Sequence, residues 1–137
     1  MPRRLVLAVA AILSLTACMP SARALPPPPP GAEAIVEEGP QELMLDSVVL
    51  QIREAVQDKR HPLKVATYRL GEAADWPAVS AYYEKLLARP RDPRLAEQLR
   101  GAHARAWREG GAVVAVALVD GPLPGADPRP LLVVASS

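Results

Sequence analysis

The sequence predicts an α+β fold, a small and mostly antiparallel sheet of three or four strands with two main helices packed on it. Apolar residues recur at helical spacing over 45–56 and again over 79–87, each stretch bounded by Pro and Asp. Two further runs, Ala112–Val119 and Leu131–Ala135, are apolar at every alternating position, as in strands buried on both faces. Residues 1–40 have another composition and do not belong to this pattern. The chain's 137 residues leave room for one domain. It contains no Phe, so the core must come from Val, Leu, Ile and Ala with Tyr68, Trp76, Tyr82, Tyr83 and Trp107.

The leader opens with Arg3 and Arg4, and Leu5 to Ala17 are then all apolar or small. That run fits the h-region of a signal peptide and is shorter than the ~20 residues of a membrane span. It closes on Leu15-Thr16-Ala17-Cys18. This resembles the lipobox of bacterial lipoproteins: a branched apolar residue, two small ones, then Cys. The resemblance covers the leader alone. It implies cleavage before Cys18, thioether attachment of diacylglycerol to its sulfur, and acylation of the new amino group. Two or more chains anchor a protein stably, at ~0.8 kcal/mol per buried CH₂. Met19 stands where the family's inner-membrane retention signal has Asp, which implies an outer membrane where the cell has one. The expected address is therefore the cell envelope, with the domain facing the periplasm or the exterior. A competing site is Ala22-Arg23-Ala24, an A-x-A pattern whose cleavage after Ala24 would release a soluble protein.

From Met19 to Pro40 the sequence reads as a disordered tether. Pro26 to Pro30 is unbroken and favours polyproline II, and Glu33, Glu37 and Glu38 have no basic neighbour. The expected organisation is a signal peptide over 1–17, lipid-attachment Cys18 and a proline-rich tether over 18–40, and the α+β domain over 41–136.

Within the domain, Gly39-Pro40 opens a helix whose stripe is Leu45, Val48, Val49, Ile52 and Val56. Lys59 and Arg60 suit its C-terminal dipole, and His61-Pro62 ends it. Leu63 to Leu70 reads as a strand. Asp75 is placed as an N-cap with Pro77 in the first turn, ahead of an apolar face of Val79, Tyr82, Tyr83, Leu86 and Leu87, and Pro90 stops that helix. Asp92-Pro93 starts a short helix to about Arg100. Leu95, Leu99, Ala102 and Ala106 would continue that helix to Glu109. Gly101 interrupts the stripe, however, and Arg105-Ala106-Trp107-Arg108 alternates, so the favoured alternative is a hairpin strand turning at Gly110-Gly111 into Ala112–Val119. A proline-rich connection leads to Leu131–Ala135. With the helices on one face, the other face of these apolar strands is expected to stay partly uncovered and to serve as a contact surface.

Charge and motif exclude several functions. Net charge is +1, and without Arg3 and Arg4 the balance becomes 14 basic against 15 acidic residues, so no nucleic-acid partner is expected. Only His61 and His103 are present, with no metal-ligand spacing, and no cofactor or metal is predicted. There is no nucleophile elbow, phosphate loop or dinucleotide fingerprint. A carboxylate pair such as Glu72 with Asp75 carries little weight among fifteen acids. The reading is not an enzyme. The expected role is a membrane-anchored interaction or assembly domain, with an envelope protein as partner. The alternative is an anionic lipid or envelope polymer bound at Arg89, Arg91, Arg94, Arg100, Arg105 and Arg108.

Overall fold

The computed structural model describes residues 24–36, 40–56, 60–93, 103–119 and 127–137. The signal peptide, Cys18, Arg94, Arg100 and the rest of the short helix expected from Asp92-Pro93 lie outside the described residues. Asp92 itself pairs with Ala106 as a strand, so the helix does not start there.

The fold is α+β, but its antiparallel sheet has six strands rather than three or four. In chain order the elements are β1 (Glu33–Ala34), α1 (Pro40–Val56), β2 (Lys64–Arg69), α2 (Trp76–Leu87), β3 (Arg91–Asp92), β4 (His103–Glu109), β5 (Ala112–Val119) and β6 (Leu131–Ser136). The spatial order is β1-β2-β6-β5-β4-β3. The two additional strands, β1 and β3, are two residues long and sit at the sheet's edges. Such short pieces have no period of their own, and pairing with a longer neighbour is what makes them strands. Glu33 faces Arg69 across one edge and Arg91 faces Trp107 across the other.

β5 and β6 are central and every residue in them is buried. β4 and β5 form a hairpin in which Glu109 pairs with Ala112. Gly110 takes φ +58° there, a conformation that glycine adopts without penalty.

The helices do not share a face, which corrects the expectation of a one-sided sheet. On α1's face Leu45, Val48 and Ile52 meet Ala106, Val113, Ala115, Ala117, Val133 and Ala135. The many alanines let the helix lie close to the strands. On the other face Val79 and Tyr83 of α2 meet Trp107, Val114, Val116, Leu118, Leu132 and Val134. Alternation along each strand makes this division, sending successive side chains to opposite helices. The expected uncovered face of β5 and β6 is absent.

Nor is the proline run a free stalk. Pro26 is buried, and Leu25 and Ala32 pack into the α2-side core. The segment runs from Leu87, at the hairpin end of the sheet, to Glu33 beside Arg69 at the opposite end. A polyproline helix gains ~3.1 Å per residue, close to the rise of a strand, so the segment can follow the sheet's full length. Sequence period could not reveal this packing, because the contacts that hold it lie more than fifty residues away on α2.

Candidate functional site

α2 positions most of the chemistry outside the core. Asp75 caps it, its carboxylate accepting from the Ala78 amide at 2.9 Å, so this acid is engaged in holding the helix start. The helix ends at Ala88, whose φ of 46° and ψ of 40° turn the chain while its amide donates to Glu84 O.

Between these ends the two tyrosines receive the proline segment. Tyr82 Oη donates to Pro28 O at 3.0 Å, and Tyr83 Oη donates to Pro27 O at 3.3 Å. Polyproline II has no internal hydrogen bonds, so its carbonyls need outside donors, and the phenols provide them. Tyr82 meets Tyr83 edge-on at 4.9 Å between centroids, and Tyr83 in turn lies 6.3 Å from Trp107. Burial, followed by the neighbouring Tyr82 and Tyr68, pushes the Tyr83 phenol well above its usual range. This is how aromatic grooves bind proline-rich ligands, with groove and ligand in one chain. The signal available in the sequence was the pairing of a proline run with adjacent tyrosines on a helix face. Beside the strap, Pro29, Pro30, Leu70, Ala74, Ala78 and Tyr82 line an open groove of about 320 Å³.

The arginines of the predicted basic surface have carboxylate partners wherever they are described. Arg89 pairs with Glu109 at 2.9 Å, Arg108 with Asp92 at 3.0 Å, and Arg91 with Glu84. Arg105 reaches Glu84 and the Ser80 hydroxyl and lies 5.8 Å from the Trp76 ring centre. These contacts tie α2, β3 and β4 together, so the four side chains do not form an open cationic patch. Trp76 stacks on His103 with centroids 5.7 Å apart. Ser80 is held by a guanidinium, which has no acceptor and cannot take a proton from it.

A second ion cluster closes the far end of the sheet. Asp127 binds Arg69 at 2.6 Å and Arg129 at 2.8 Å, and Arg129 reaches Glu33. The bonds from Arg129, and then from Arg69, hold the Asp127 carboxyl far below the usual carboxylate range. The same pairing raises Arg129.

Among the described residues no cluster of three or more His, Cys, Asp or Glu is placed to hold a metal. No described helix is long and apolar enough to cross a membrane. No protein-family model matches the chain, and neither a curated protein nor a solved structure matches it.

Proposed function

We propose that this chain is an exported lipoprotein, anchored through Cys18, whose α+β domain serves as an interaction or assembly module of the cell envelope. The observation that carries the reading is Leu15-Thr16-Ala17-Cys18 at the end of an apolar run begun by Arg3 and Arg4. Cys18 is the only cysteine, so a structural disulfide within the chain does not compete for it. With both faces of the central strands covered, a partner has to meet the periphery, where Val36 is 94% and Leu50 53% exposed.

A second reading has its own observation. Among the described residues the first side chain packed against a core cluster is Leu25, immediately after Ala22-Arg23-Ala24. Cleavage after Ala24 would therefore release a soluble domain with its proline strap intact. The arginine-rich alternative has less support, since its described members are already paired.

Intact mass of the protein from membrane and soluble fractions, wild type beside Cys18→Ala, separates the two. A membrane-bound species starting at Cys18 with added acyl mass, lost in Cys18→Ala, is the expected result. A soluble species starting at Leu25 would overturn the lipoprotein reading.

A further inference from the structure

We propose that the hairpin end of the domain rests on an anionic lipid surface, with Leu86 at the headgroup boundary and Lys64 and Lys85 against the phosphates. The inference rests on the lipid anchor at Cys18 and adds which side of the protein the anchor holds down. Because the proline run is strapped to α2, the leash between an anchored Cys18 and the domain can be no longer than the chain from Cys18 to Leu25. Seven Cα steps at ~3.6 Å reach at most ~25 Å. A domain of about 100 residues has a radius of gyration near 13 Å, hence a width of ~35 Å. The leash is shorter than the body it holds, so the domain cannot turn every side to the bilayer.

The strap's direction selects the side. Ala24 and Leu25 lie with Leu86, Leu87 and Arg89 around an open hollow of about 130 Å³ at the C-terminal end of α2. The β4–β5 hairpin turn lies at the same end, where Arg89 meets Glu109. Leu86 there is 44% exposed, although it belongs to the helix's apolar face. Register places Lys64 opposite Ser136, which itself faces Val114 near the start of β5, so Lys64 shares this end. Lys64 and Lys85 are exposed, and neither makes an ion pair among the described residues. The opposite end carries Glu33, Glu72, Asp75 and Asp127 against Arg69 and Arg129. An exposed leucine and two lysines without an ion pair among the described residues, at the end from which the chain to Cys18 leaves, suit a headgroup surface of negative charge.

The test couples the chain from Cys18 onward, through its single thiol, to maleimide lipid in vesicles containing brominated phosphatidylcholine, with or without phosphatidylglycerol. Tryptophan is placed at the near end by Leu86→Trp and at the far end by Glu72→Trp, and each signal is read as the difference from the wild-type chain, which carries Trp76 and Trp107. Quenching of the Leu86→Trp signal several-fold above that of Glu72→Trp is expected. It should be greatest with phosphatidylglycerol and be reduced by Lys64→Glu with Lys85→Glu. Equal quenching at both ends, or none at either, overturns the orientation while leaving a lipid-bearing Cys18 intact. Quenching that ignores both phosphatidylglycerol and the lysine changes overturns the part assigned to charge. A cellular species that begins at Leu25 overturns both the anchor and the orientation built on it.

Discussion

Burial of the Tyr83 phenol against Trp107, with its hydroxyl on Pro27 O, makes the neutral form of this side chain part of the folded state. Its pKa is raised, so its contribution is complete below the ordinary value of 10.0 and is lost as pH rises above it. Alkaline titration should therefore show tyrosinate absorbance from Tyr83 appearing together with loss of structure. Tyr83→Phe removes the hydroxyl's bond and should cost about 1 kcal/mol in urea unfolding, with alkaline sensitivity reduced. Asp127 has the opposite sign. Its depressed pKa gives stability that is present above the ordinary carboxylate range near 3.8 and is lost as pH falls below it. Asp127→Asn should lower stability at neutral pH and flatten the acid limb, so that variant and wild type converge as pH falls, read from urea midpoints across the range. Ala88 offers a test in the stabilising direction. A left-handed conformation penalises its Cβ, so Ala88→Gly should raise stability by about 0.5–1 kcal/mol, read from the urea midpoint.

At the scale of elements, the strap is the part whose removal says most. Replacing Pro26 to Pro30 by glycine keeps the carbonyls that Tyr82 and Tyr83 bind but frees the chain when unfolded. The expected loss is roughly 0.4–1 kcal/mol per position, measured by thermal or urea unfolding. An unchanged midpoint would mean that the strap contributes nothing to stability. This segment also shows where sequence reading stops. α1, α2, the β4–β5 hairpin, β5 and β6 were legible because each carries its own period, cap or turn: the stripe of Leu45, Val48 and Ile52, the Asp75 cap, the Gly110 turn. The strap and strands β1 and β3 have no such local mark. Their structure is set by partners far along the chain, as Glu33 is by Arg69 and Arg91 by Trp107. The pairing of Arg89, Arg91, Arg105 and Arg108 was hidden for a related reason: one-dimensional charge counting cannot see that Glu84, Asp92 and Glu109 fold back onto them. Leu86 was assigned to the core by period, yet it is 44% exposed while Leu87 beside it packs on the α2-side core.

For the molecule as a whole, the decisive pairing is that of β6 with β2 on one side and β5 on the other. Both helices pack on a sheet that β6 completes, so losing Leu131–Ser136 removes the shared floor of the two cores. A chain ending before Leu131 should show no cooperative unfolding transition and should be digested rapidly by protease at neutral pH. This has a meaning in time as well as in space. A ribosome makes β2 long before β6, and until β6 emerges the earlier strand has no neighbour on its inner edge. The finished half of the polypeptide therefore stays unfolded while the rest is being synthesised. Under the proposed export, that delay keeps the precursor a thread that a narrow secretion channel can still pass, and it closes into a domain only on the far side.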